Sequence, residues 1–241
     1  MVNYIKGLND CLSGFGLIFK SGIRRYVIIP LLINTVLFGG AVYLLYQQLD
    51  TWLERLLPGW LSWLEWLIVP LFFVTVLIIV FFTFTLVANL VAAPFNSFLS
   101  ASVEQKLTGQ KPESLVNEPL WKTTVRTVSA EIRKTLYFLL WLIPLALLTV
   151  IPVINIVAPF AWFLFAAWSF AIEYTDSPLG NRGLLFDEIR EYSRKNRMRS
   201  LGLGTGVFVM TSIPVLNFLA MPVAVCAATK MTTRISAQQQ Q

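Results

Sequence analysis

The run KSGIRR, residues 20–25, is the part of this chain best suited to chemistry. Gly22 frees the backbone, a long uncharged stretch starts just beyond it, and Arg24 and Arg25 stand at the first turn of that stretch. The first amides of a helix lack internal partners, and the helix dipole places about half a positive charge at that end. Two arginines there oppose the helix. A bound anion reverses the sign: the amides of Gly22, Ile23 and Arg24 can meet a tetrahedral oxyanion while the forks of Arg24 and Arg25 add paired donors. The same residues also suit a second role, as topology anchors at the lipid headgroups. Spacing alone leaves both readings open.

Other polar residues are few within the apolar runs: Asn34, Asn89, Asn96, Asn155 and Asn217. Amides in such places ordinarily join helices, at about 0.6 kcal/mol per contact. Asn34 and Asn89 are also candidates for lining a path. Glu104, Arg126, Glu131 and Arg133 either line a cytoplasmic vestibule or form a solvated helix face. The turn-rich EYTDSPLGNRG, residues 173–183, is explained by local hydrogen bonding.

Several chemistries are excluded. The chain has no histidine, which removes the usual proton shuttle and Ser-His or Cys-His catalysis. Cys11 and Cys226 lie far apart in apolar settings and read as inert packing thiols, with no metal site and no disulfide. Gly202-x-Gly204-x-Gly206 lacks the strand and the acid of a dinucleotide fingerprint. No phosphate-binding loop is present, and no paired intramembrane carboxylates suggest an ion-coupled pump. Neither an enzyme nor a cofactor is expected.

The elements that must position these residues are membrane helices. Hydrophobic residues make up 56% of the 241 and charged residues only 13%, with a mean hydropathy of +0.67. Soluble domains carry about 25% charged residues, so the expected class is an all-α integral membrane protein. The net charge of +6 flanks apolar runs; that is the positive-inside pattern, and nucleic acid is not the expected partner.

Residues 3–20 read as an amphipathic interfacial helix, with Ile5, Leu8, Leu12, Phe15 and Phe19 on one stripe. The N-terminus has no cleavage site of a signal peptide. Spanning helices are expected at 23–49 and 66–93, joined by an acidic outward loop bearing Trp52, Trp60 and Trp63. Pro94 is expected to break the second of them. Residues 104–134 are basic and read as cytoplasmic, with a surface helix opened by Asn117 and Pro119.

Two uncharged segments remain, 135–172 and 200–229, each with basic residues at both ends. Near the middle of each lies a Pro-x-x-Asn core, in IPVINIVAP (151–159) and IPVLNFLAMP (213–222). Proline and asparagine favour turns. Each segment therefore reads as a helical hairpin with its tip at the motif. In the second hairpin, arms of about 20 Å cannot cross a core of about 30 Å, so this hairpin is expected to be re-entrant. Irregular backbone at that depth must be buried in protein, so a homo-oligomer is expected. All 241 residues form one membrane domain in this reading.

GLIFKSGIRRYVIIPLLIN (16–34), LVANLVAAPFNSFLSASVE (86–104), the paired hairpin tips and EYTDSPLGNRG together resemble the CysZ family of bacterial sulfate permeases over essentially the whole chain. The resemblance implies an inner-membrane oligomer, with cytoplasmic termini, that feeds sulfate to cysteine synthesis. The family's sulfate-binding Gly-Leu-Arg falls on Gly22, Ile23 and Arg24, followed by Arg25, with isoleucine in place of leucine. That favours the anion site. A scaffold or regulatory subunit without transport is the competing reading.

Overall fold

The computed structural model describes residues 2–56, 65–110 and 120–239. The described residues are mostly helical and include no strand. The order is α1 (Val2–Ile18), α2 (Arg25–Leu56), α3 (Glu65–Thr108), α4 (Leu120–Val150), α5 (Ala158–Gly180), α6 (Phe186–Lys195), α7 (Arg197–Ser212) and α8 (Pro214–Gln239). Four stretches among them are long and apolar enough to cross a membrane: Arg25–Leu44, Val128–Val150, Ile154–Gly180 and Pro214–Gln238. The tryptophan-bearing loop at 57–64 and the Asn117–Pro119 helix start lie outside the described residues.

Two boundaries differ from expectation. Pro94 does not break α3, which continues to Thr108. A membrane helix tolerates a proline where neighbouring groups meet the freed carbonyl. Residues expected as a separate surface helix before the first hairpin belong to α4, which runs unbroken from Leu120 to Val150; the charged turn of Glu131, Arg133 and Lys134 interrupts the hydropathy without interrupting the helix.

The chain divides into two compact units, one of Met1–Arg24 with Asn96–Gln241, the other Arg25–Phe95. The second holds α2 and most of α3. Its described side chains include exposed Ile28, Leu32 and Val36, an apolar face suited to lipid.

In the larger unit both expected hairpins fold back on themselves. Lys134 in the middle of α4 reaches Asp176 near the end of α5 at 2.9 Å. Arg199 at the start of α7 and Arg234 in the last turns of α8 hold opposite oxygens of one carboxylate, Asp10. One straight helix over these 36 residues would be about 54 Å long, so the shared partner requires a reversal.

The two tips are built differently. At the first, Val153 takes φ 70° without being glycine, Asn155 N–H donates to the Ile151 carbonyl at 3.0 Å, and a 3₁₀ turn Ile154–Val157 leads into α5. At the second, only Ile213 leaves helical geometry (φ −104°, ψ 113°), because Pro214 follows it and disfavours the α conformation. Pro214 then opens α8, where its missing N–H costs nothing.

Small residues join the helices of this unit. A Cβ at Gly204 would overlap the Ala167 carbonyl of α5; at Gly202 and Gly7 it would overlap backbone across the α1–α7 contact, and at Gly14 the Val223 carbonyl of α8. The glycine run of α7 is thus a packing surface, as membrane helices use small residues to approach closely. We expect Gly204→Ala to force α5 and α7 apart and destabilise the protein by about 1–3 kcal/mol. Gly39→Ala in α2, where a Cβ meets nothing within 4 Å, should leave thermal melting in detergent unchanged. Equal melting temperatures for the two variants would contradict this packing.

The small-residue stripe also explains α1. Gly7, Asp10, Cys11, Gly14, Leu17 and Ile18 are its buried residues, while Ile5, Leu12 and Phe19 stay exposed. One face docks on α7 and α8; of the apolar stripe legible in the sequence, Leu8 and Phe15 are half-buried and the rest faces outward.

Candidate anion site

Between α1 and α2 the chain makes a tight turn at residues 19–24. Gly22 has φ +86°, the left-handed conformation that side chains disfavour by about 1–2 kcal/mol. Ile23 N–H and Arg24 N–H both donate to the Lys20 carbonyl, at 3.1 and 3.2 Å. Those two amides are therefore engaged within the turn. The Gly22 amide has no acceptor among the described residues. The Ile23 side chain is 1% exposed and pins the turn to the larger unit.

The turn is electrostatically one-sided. Lys106 Nζ, from the end of α3, donates to the Ser21 carbonyl at 2.7 Å. Lys20 and Arg24 are exposed and have no carboxylate partner among the described residues. Three cations thus gather without a paired carboxylate among the described residues. Lys106 was visible in the sequence only as one of many basic residues; its pairing with Ser21 spans 85 positions. Arg25 opens α2 in the other unit. Its Nη2 donates to Tyr26 Oη at 2.9 Å, and its guanidinium lies 4.7 Å from the Tyr26 ring centroid, a cation–π geometry.

Of the remaining sequence candidates, the two with described side chains have different partners. Glu104 is buried and accepts from Arg182 Nη2 at 2.7 Å and Nε at 3.2 Å, and Arg182 Nη1 also donates to Ser236 at 3.0 Å. Arg133 is half exposed and pairs with Asp187 of α6. The side chains of Asn34, Asn89 and Arg126 lie outside the described residues. The sequence alone assigns Arg182 to a local turn; its role as the partner of Glu104, 78 positions away, is not legible there.

Around Glu104 the interior is polar. Asn181 Nδ2 donates to the Ser97 carbonyl at 2.8 Å, and Thr229 donates to Ser100 at 3.0 Å. Glu104 Oε2 and the hydroxyls of Tyr192, Ser193 and Ser200 are buried without a partner among the described residues. Burial pushes the Tyr192 phenol up to about 12, against the opposing pull of Arg182 and Arg199; it remains a neutral donor. Burial likewise pushes the Cys11 thiol up to about 12, so it stays an unreactive thiol. Among the described residues no group of histidine, cysteine or carboxylate side chains is arranged to hold a metal.

Replacing Gly22 by alanine should reshape the turn although the added methyl has open space, because the backbone angle itself is unfavourable for a side chain. We expect the strain to lower stability in detergent by about 1–2 kcal/mol and oxyanion binding at the turn to weaken, with smaller losses of both for Gly22→Asn, which tolerates this conformation better. Thermal melting and isothermal titration with sulfate check the two effects.

Comparison with known proteins gives a consistent match. Residues 11–222 match the family described as sulfate transporter CysZ/etoposide-induced protein 2.4. The chain is 41% identical over 230 residues to the sulfate transporter CysZ of Pectobacterium atrosepticum, covering 93% of this chain and 83% of that one. It is 41% identical to the Vibrio cholerae protein of the same name, over 91% and 92% of the two chains. For the Pseudomonas syringae protein the identity is 43%, over 92% and 89%.

Proposed function

We propose, since this chain belongs to the sulfate transporter CysZ/etoposide-induced protein 2.4 family, that it takes up sulfate across a membrane. It is a transporter and not an enzyme, in keeping with the names of its relatives. A non-transporting scaffold is not favoured, because similarity to named transporters covers more than nine-tenths of the chain.

In our reading sulfate is held by Gly22, Ile23, Arg24 and Arg25. The observation that carries this assignment is the turn at Gly22, where the amide and the neighbouring cations Lys20 and Arg24 have no acceptor or carboxylate partner among the described residues. Gly22 offers its N–H, Arg24 a bidentate fork, and Lys106 a nearby positive field. Ile23 acts through its buried side chain, which fixes the turn. Arg25 enters by its place next to Arg24 in the chain. Asn34, Asn89, Glu104, Arg126 and Arg133 are the proposed path residues. With its amide and guanidinium N–H donors few, such a path binds weakly enough to release, as conduction requires.

The membrane is the bacterial inner membrane, with both termini in the cytoplasm, and the sulfate supplies cysteine synthesis. The second hairpin is re-entrant in this reading because its first arm, α7, has 16 residues and reaches only about 24 Å, short of a core of about 30 Å, although α8 is long enough to cross. The protein works as a homo-oligomer, since exposed Val153, Ile156, Val215 and Phe218 at the two tips suit neighbouring subunits or lipid and not water. The direct test is radiolabelled sulfate uptake by vesicles containing the purified protein. Uptake well above that of empty vesicles is expected; equal rates would refute transport by this chain alone.

A further inference from the structure

Where the larger unit carries surplus negative charge, between α4 and α5, we propose a binding site for a phospholipid with a primary-amine headgroup. Lys134 Nζ lies 3.0 Å from Glu131, 3.3 Å from Glu173 and 2.9 Å from Asp176. Its three protons are thereby taken. Three carboxylates face one ammonium, which leaves two negative charges. Arg133, the adjacent cation on α4, is turned toward Asp187 instead.

Glu131 and Glu173 are half exposed, and both line a groove of about 500 Å³ between the helices. The groove changes chemistry in steps. Along α5, Glu173, Ser169 and Phe165 follow at intervals of four residues, about 6 Å per step. The Ser169 hydroxyl oxygen is buried and has no partner among the described residues. On the opposite wall the Thr135 hydroxyl is already used, donating to the Glu131 carbonyl at 2.9 Å. Deeper still, Phe165 meets Phe138 edge-on at 6.2 Å, and Leu142 continues the apolar wall.

Carboxylates, then an unpartnered hydroxyl at the groove wall, then aromatic and aliphatic surface match an ammonium, a glycerol ester and an acyl chain in that order. An amine headgroup brings three N–H donors to the outward carboxylate oxygens. A quaternary ammonium brings charge without donors, and an anionic headgroup is repelled. A free cation would use the carboxylates but leave the hydroxyl and the apolar wall without a role.

The full-length protein is delipidated in detergent and incubated with phosphatidylethanolamine, phosphatidylcholine or phosphatidylglycerol of identical chains. Retained lipid is counted by native mass spectrometry. Phosphatidylethanolamine should be retained about tenfold over phosphatidylglycerol, equivalent to about 1.4 kcal/mol, with phosphatidylcholine between them. Equal retention of the three by the unsubstituted protein overturns the proposal, and this comparison needs no variant to fold. The Glu131→Gln/Glu173→Gln double variant should lose the preference while still binding lipid. A preference that survives in it would place the lipid elsewhere.

Discussion

Replacing Arg24 with alanine lowers sulfate uptake by reconstituted vesicles about 10- to 100-fold at subsaturating sulfate, because a charge-assisted hydrogen bond contributes about 1.5–3 kcal/mol and each 1.4 kcal/mol is a factor of ten. The Arg24 side chain is exposed and has no carboxylate partner among the described residues, so its removal strands no buried group. Melting in detergent should therefore not change. Arg24→Lys keeps the charge but loses the planar fork, and it should recover only part of the uptake. An anchor role predicts something else: altered orientation in the bilayer, restored fully by lysine. Orientation measured on the same vesicles separates the two. Unchanged uptake with unchanged orientation would remove Arg24 from the site.

The second large effect is on stability. Asp10 is 1% exposed and bonds Arg199, itself 8% exposed, through Nε at 2.8 Å and Nη2 at 2.7 Å. Arg234 takes the other oxygen at 3.0 Å. Asp10→Ala leaves the Arg199 guanidinium buried without its counter-charge, which costs about 3–5 kcal/mol. For a chain of this size that lowers the melting temperature by roughly 10 °C. Arg234 is 56% exposed, and losing an ion pair with such a partner costs only about 0–1 kcal/mol. Asp10→Leu combined with Arg199→Met should recover most of the loss, since two apolar side chains can replace a buried pair. If Asp10→Ala melted with the unsubstituted protein, the clamp joining α1 to both ends of the α7–α8 hairpin would be wrong.

Hydropathy made the long helices legible, and like charge at both ends of residues 135–172 and 200–229 made the reversals legible. Both signals are local sums that survive any arrangement of partners. What hid were features defined by contacts. The apolar stripe of α1 was easy to see, yet the face that packs is the glycine stripe, because in a lipid setting close approach and not hydrophobicity joins helices. Pro94 looked like a break, but a proline is only a local cost that a membrane helix absorbs when other groups meet the freed carbonyl. Hydropathy ends the second arm of the last hairpin near Thr229, while α8 runs to Gln239; Lys230 and Arg234 stop an apolar run but not a helix.

The anion turn was legible in part. Glycine followed by two arginines at a helix start is a local pattern, and the left-handed Gly22 fits it. The engagement of the Ile23 and Arg24 amides by the Lys20 carbonyl is not written in residue types. Nor are the long-range partners Lys106–Ser21, Glu104–Arg182 and Asp10–Arg199, which span 85, 78 and 189 positions. A charged residue in sequence says that a partner or water is needed, not which one.

Selenate, a tetrahedral dianion with the shape of sulfate and a strong anomalous signal, can locate the bound ion directly. Crystals of the full-length protein grown with selenate should show an anomalous peak within hydrogen-bond reach of the Gly22 amide and the Arg24 guanidinium, and Arg24→Ala crystals should lack it. A protein that carries sulfate in vesicles while its selenate peak lies elsewhere, with this turn empty, would contradict the account.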